Sequence, residues 1–147
     1  MTDTELDVIY RKLSRINEDL ELLRQIAKMS FGDYLRQPFY KKASERMLQE
    51  VIEAAVDINS HLLVEAGFPP PADYHQSFVE VANRLGLFDS EFAMQIAPST
   101  GLRNRLVHEY DKLDDAIVFT SIRQLLELYP RYGQAVVDYL ARLEKKE

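Results

Sequence analysis

Apolar residues recur at intervals of three and four along almost the whole of this chain, and nowhere do they alternate in and out as a half-buried strand requires. The first block runs Leu6, Ile9, Leu13, Ile16, Leu20, Leu23, Ala27. At 3.6 residues per turn these fall along one stripe, so the segment reads as a long amphipathic helix. It is expected to stop near "SFGDY", where Gly32 tolerates a left-handed backbone and Pro38 marks a new start. A second helix over 39–66 carries Ala43, Met47, Val51, Ala54, Ala55, Ile58 and Leu62 at helical spacing, with Leu48, Ile52 and Leu63 widening its apolar face. That width implies burial against several neighbours. The spacing of the first block also resembles a heptad seam, but it lasts only about three heptads, which favours packing within the chain over a coiled coil.

Punctuation divides the rest. "GFPPPAD" cannot continue a helix, and Asp73 can cap the next one over 73–85. "GLFDS" supplies a glycine stop and a capping Asp89 or Ser90 for a short helix over 89–97, which Pro98 ends or kinks. Ser99 or Thr100 is expected to cap a helix through "GLRNRLVH", and "EYDKLDD" to interrupt before another begins at Asp114 or Asp115. Ile117, Val118, Ile122, Leu125 and Leu126 form that helix's face, and Pro130 is expected to separate it from a last helix carrying Val136, Val137, Leu140 and Leu143. The fold class that follows is all-α: an antiparallel helical bundle of two long helices and several shorter ones, within one domain spanning 1–147.

The chemistry concentrates in "RNRLVHEY", Arg103 to Tyr110. On a straight helix Asn104 and His108 share one face, and Arg103 and Tyr110 share another. Arg103 and His108 are about 140° apart, so one rigid helix does not aim both at the same atom. Either the helix ends near His108, or a second copy of the chain brings its own motif across a two-fold axis. Gly101 would permit close backbone approach, while Leu102 and Leu106 would anchor the opposite side. Arginine binds phosphate in a forked geometry and histidine exchanges protons near neutral pH, which together suit phosphodiester chemistry. In RNA the 2'-hydroxyl is an internal nucleophile, so no metal is compulsory. The plain alternative is a solvated helix end whose arginines and histidine satisfy carbonyls.

Charge and composition narrow the options. A formal net charge of -6 opposes general adhesion to nucleic acid, so an RNA site must be local, gathered from Arg103 and Arg105, with Arg84, Arg36 and Arg123 as further candidates. Without cysteine there are no disulfides or thiolate metal sites. His61 and His75 lack metal-ligand spacing, and "EYDKLDD" lacks the pattern of a calcium loop, so no metal and no cofactor are expected. No apolar run is long enough to span a bilayer, and "MTDTELD" does not resemble a leader, which points to a cytoplasmic protein without membrane contact.

"GLRNRLVHEYDKLD" closely resembles the end of the HEPN domain in HepT-type toxins, the ribonuclease partners of minimal nucleotidyltransferase antitoxins in type VII toxin–antitoxin systems. Their Arg-x4-His-x-Tyr pattern is matched without a gap by Arg103, His108 and Tyr110, with Asn104 as the polar residue after the arginine. "ERMLQEVIEAAVDINSHLL" and "PADYHQSFVEVANRLGLF" resemble the helices before it. The resemblance implies a HEPN-like homodimer that cuts transfer or messenger RNA without a metal. Arg103 would hold the phosphate, His108 would move protons and Asn104 would support the geometry. The antitoxin would attach AMP to Tyr110. Two other readings of the same sequence are a noncatalytic helical module binding a nucleotide or protein, and an adaptor that makes contact through Leu13 and Leu20.

Overall fold

In a computed structural model, which describes residues 1–146, the chain forms seven α-helices and one 3-10 turn. They are α1 (Asp3–Ala27), α2 (Phe31–Leu35), α3 (Pro38–Glu65), α4 (Tyr74–Leu85), α5 (Ser90–Ile96), α6 (Ser99–His108), the turn Tyr110–Lys112, and α7 (Asp115–Lys146). The all-α class therefore holds. α3 is the element that α1, α4, α6 and α7 all pack against. Its buried positions, including Leu48, Val51, Ile52, Ala55, Ile58, Leu62 and Leu63, face several directions, as the width of its apolar stripe demands.

Local signals set most helix ends. Thr2 and Glu5 form a capping box on α1, and the carboxylates of Asp73 and Asp89 accept from the Gln76 and Phe92 amides to start α4 and α5. Gly86 ends α4 in the left-handed region at φ 64°, where a glycine carries no Cβ penalty. Other expectations fail for identifiable reasons. Gly32 is not a left-handed stop; it lies inside α2, which Ser30 caps by accepting from the Asp33 amide. Neither Ser99 nor Thr100 caps α6. Both hydroxyls donate backwards instead, to the Ile96 and Ala97 carbonyls, because α5 and α6 follow each other with only Ala97 and Pro98 between. Gly101 has open space where a Cβ would project, so nothing approaches it closely.

The largest departure is Pro130, which lies inside α7 and does not divide it. The structure thus has three long helices, not two. A proline in a helix interior costs about 3 kcal/mol, yet Leu125, Tyr129, Tyr132, Val136 and Leu140 on its two sides are all buried in the core, and only a continuous helix can bury all of them. Two phenols reinforce it. Since Ser99 Oγ gives its proton to Ile96, the Tyr129 hydroxyl donates to Ser99 Oγ at 2.7 Å. The Tyr132 hydroxyl lies 2.6 Å from Asn59 Oδ1 and 3.0 Å from the Ala55 carbonyl, while Asn59 Nδ2 donates to Ser77 Oγ at 3.1 Å. This buried chain ties α7, α3 and α4 together, and burial pushes both phenols well above their ordinary pKa.

Leu13 and Leu20, the contact residues of the adaptor reading, are 6% and 1% exposed and belong to the core. The α1 stripe is intramolecular packing, chiefly against α3 and α7. No described helix is long and apolar enough to cross a membrane.

One contact between α1 and α3 works against stability. Partial burial and the neighbouring carboxylate of Glu50 push Asp19 up to about 6 from its ordinary 3.8. A carboxyl raised on folding binds its proton more tightly in the folded chain, so its contribution is complete below pH 3.8 and is lost as pH rises through about 6. Asp19→Asn is therefore expected to raise the thermal midpoint at pH 8. The gain should vanish below about pH 3.8 when melting is followed by circular dichroism.

Candidate functional site

The motif occupies α6 and the turn after it, and α6 stops at His108. Glu109 leaves helical geometry at φ -125°, ψ 35°, and its amide closes on the Arg105 carbonyl. The chain then tightens into the 3-10 turn, with the Lys112 amide donating to the Glu109 carbonyl at 2.8 Å. The early helix end is what lets Tyr110 leave the helical path.

Three faces of this segment carry different residues. Towards α3 point Arg103, Leu106 and Tyr110. Arg103 Nε donates to Glu53 Oε1 at 2.9 Å, and its guanidinium lies over the Tyr74 ring of α4 at 4.7 Å. Only 18% of the Arg103 side chain is exposed, so the group is held and not solvated at random. Gln49 Nε2 meets its own helix neighbour Glu53 at the same Oε1, 3.0 Å away, which steadies the carboxylate. Tyr110, half exposed, accepts from Lys42 Nζ at 3.1 Å, and the same ammonium lies 5.6 Å from its ring centroid. A shallow cleft of about 290 Å³ opens beside the second contact, lined by Lys42, Glu45, Arg46, Gln49, Leu106 and Tyr110.

The second face carries Leu102, buried, and Arg105, exposed. Together with Gln124, Leu128 and Arg131 of α7 they line a cleft of about 550 Å³. Asn104 and His108 lie on the third face, directed outwards and exposed beside Val107. Neither makes a side-chain hydrogen bond or ion pair among the described residues. Arg103 and His108 thus point apart, as helical geometry requires, and no contact within one copy of the chain joins them.

The remaining arginines are spread elsewhere. Arg84 pairs with Glu80 and stacks on Phe68, Arg36 donates to the Gly32 carbonyl, and Arg123 stacks on Phe119 while reaching the Ala27 carbonyl. None of the three joins the motif. The groups that do meet it, Lys42, Glu45, Gln49 and Glu53 of α3 and Tyr74 of α4, carry no motif of their own; the only sequence signal of the first four is the recurrence of polar residues at three- and four-residue steps along α3.

One grouping has metal-ligand proximity among the described residues: single atoms of Glu5, His61 and Glu65 lie within 4.8 Å of one another. His61 and Glu65 are four residues apart on α3 and Glu5 comes from α1, so linear spacing could not reveal them. His61 Nε2 is buried without a partner, and the proximity of Glu5 pushes Glu65 up. The cluster lies at the far end of α3, about 28 Å along the helix from Lys42. It takes no part in the motif.

Replacing Glu53 by Ala removes the acceptor that holds Arg103. The chain is expected to lose about 1 kcal/mol in denaturant titration. The Arg103 Nε–H resonance should then exchange faster with water in nitrogen-15 NMR.

Comparison with known proteins identifies the family. A family model described as ribonuclease HepT-like matches residues 16–136. A tRNA nuclease HepT of Aphanizomenon flos-aquae is 38% identical over 146 residues, covering 99% of each chain. An mRNA nuclease HepT of Shewanella oneidensis is 26% identical over 127 residues, 86% of this chain and 93% of that one. Among solved structures, a tri-AMPylated Shewanella oneidensis HEPN toxin in complex with MNT antitoxin superposes with a TM-score of 0.80 over 94% of this chain and 99% of that one; at 22% identity the likeness is one of fold. With the Arg-x4-His-x-Tyr motif intact at a helix end, and the match running from within α1 to within α7, this chain belongs to the ribonuclease HepT-like family.

Proposed function

We propose that this protein is the toxin of a HEPN/MNT toxin–antitoxin pair: a metal-independent endoribonuclease, one domain over 1–147, silenced in the cytoplasm when a minimal nucleotidyltransferase attaches AMP to Tyr110. The observation that carries the reading is the intact motif on α6, in a chain 38% identical along its length to a tRNA nuclease. Because that likeness exceeds the one to the mRNA nuclease, transfer RNA is the first substrate to test.

The roles follow from where each side chain points. Arg103 has its Nε–H committed to Glu53 and its plane fixed on Tyr74, which leaves the Nη edge for a phosphate. A guanidinium whose rotamer is already fixed loses less entropy on binding than a free one. His108, at the exposed end of α6, would take the 2'-hydroxyl proton or return one to the leaving 5'-oxygen. Asn104, on the same face, would orient the ribose or the imidazole. The 2'-oxygen attacks the adjacent phosphorus, the bond to the 5'-oxygen breaks, and a 2',3'-cyclic phosphate results. Because Arg103 and His108 diverge within one copy, a two-fold homodimer that sets the motif of one copy against that of the other would be needed to bring an arginine and a histidine to one phosphate. Arg105, on the neighbouring face with Arg131, would contact the strand beyond the cut.

Tyr110 suits modification because its ring is half exposed and its hydroxyl faces open clefts. A phosphodiester there would place negative charge beside the cleft and compete with RNA for it.

Purified, unmodified protein in chelator is expected to cut transfer RNA and leave 2',3'-cyclic ends. Arg103→Ala and His108→Ala should each slow cleavage by about 10²-fold or more, read by end-mapping of the products. Full activity in both variants would overturn the reading. Tight RNA binding without any cleavage would return the protein to the noncatalytic alternative.

A further inference from the structure

Tyr110 is not simply an exposed phenol awaiting a partner. Its turn is clamped from three directions. α6 feeds into it through the Glu109 cap. The start of α7 is tied to α3 by Lys41 and Asp115 at 2.9 Å. Lys42, the next residue on α3, donates to the phenolic oxygen at 3.1 Å and lies against the ring. One helical turn further along α3, Glu45 lies beside Tyr110 and lines with it both clefts that flank the ring. Partial burial holds the Glu45 carboxyl above its ordinary range, the nearby Asp115 adds to this, and Lys42 and Lys41 offset part of it. A phenol carries one proton and two acceptor positions. Lys42 takes one acceptor position, which leaves the proton and the second acceptor position for other partners, and Tyr110 shares with Glu45, Pro38, Leu113 and Asp115 an open cleft of about 190 Å³.

We infer that Lys42 and Glu45 are the groups of this chain that prepare Tyr110 as the acceptor of a nucleotidyl group, Lys42 by fixing the oxygen and Glu45 by receiving its proton. This rests on the reading of Tyr110 as the modified residue. The co-reactant is a nucleoside triphosphate presented by the nucleotidyltransferase. Tyr110 Oη forms a bond to the α-phosphorus, the bond from that phosphorus to the bridging oxygen breaks, and pyrophosphate leaves. The phenolic proton passes to Glu45 and then to water. The ammonium of Lys42, already beside Oη, then faces the charge of the new phosphodiester and holds it at the cleft. The acceptor protein thereby supplies its own base, and a nucleotidyltransferase needs only to deliver the activated phosphate in line.

The test uses the full chain, its cognate nucleotidyltransferase and ATP, with AMP incorporation followed by intact mass and peptide mapping. Lys42→Met keeps the side-chain length without the charge, and Glu45→Gln is nearly isosteric, so both are expected to keep the wild-type circular dichroism melt. Glu45→Gln should lower kcat for modification by about 10²-fold with KM for the acceptor chain little changed. Lys42→Met should lower it by about tenfold, and Lys42→Arg should restore most of the loss. If the wild-type chain takes up no AMP, or takes it up away from Tyr110, the acceptor reading itself fails. Wild-type modification at Tyr110 together with undiminished kcat in both variants would leave that reading standing and overturn this inference. A rise in KM alone would also overturn it, by marking the pair as docking contacts.

Discussion

The structure depends on satisfying α3 along nearly its whole circumference. This helix buries apolar side chains in several directions, and it also buries two polar ones, Ser44 and Asn59, which would each be costly without partners. Each is met by a tyrosine from another element. The Tyr34 hydroxyl donates to Ser44 Oγ at 2.9 Å, since Ser44 gives its own proton to the Lys41 carbonyl, and Tyr132 meets Asn59. These contacts fix α2 near the start of α3 and α7 across its later half. Ring contacts of Tyr34 with Phe119, and of Phe78 with Tyr129 and Tyr132, extend the same arrangement through the core.

α3 also carries a polar stripe, Lys42, Glu45, Gln49 and Glu53, on the side where α6 and its turn pack. The motif's two α3-facing polar groups are therefore held by opposite ends of one stripe, Arg103 by an acid and Tyr110 by a base. The division is electrostatically sensible. A guanidinium pinned by a carboxylate is oriented without being consumed, because four of its five N–H donors stay available. A phenol beside an ammonium is placed where added phosphate would be stabilised. A chain of net charge -6 thus places a fixed cation at one place without becoming basic as a whole.

α6 itself is short and weakly amphipathic, and its three faces serve different neighbours. That explains why a motif so compact in sequence is dispersed in space. Consecutive helical residues are about 100° apart, so the polar residues of an eight-residue stretch cannot form one cluster unless a second surface collects them. α3 collects Arg103 and Tyr110, α7 borders Arg105, and the outward face of Asn104 and His108 is left for a surface outside this chain.

The sequence by itself determined most of the helices and of their ends, because periodicity and capping act over three or four residues: the α1 and α3 stripes, Asp73 and Asp89 as caps, Gly86 as a stop, and the break after His108; α2 and the unbroken α7 it did not. It also carried the motif, since Arg103, Asn104, His108 and Tyr110 are close in the chain. Tertiary structure decided whatever depended on contacts between distant segments. Pro130 reads locally as a breaker and is overridden by the core on both its sides; Ser99 and Thr100 read as caps and are claimed by the carbonyls of Ile96 and Ala97 at the end of α5. Glu53 is 50 residues from the arginine it holds and Lys42 is 68 from the tyrosine it touches, separations at which no local pattern records the partner. Side-chain periodicity says which way a residue faces, and only the packed chain says what it faces.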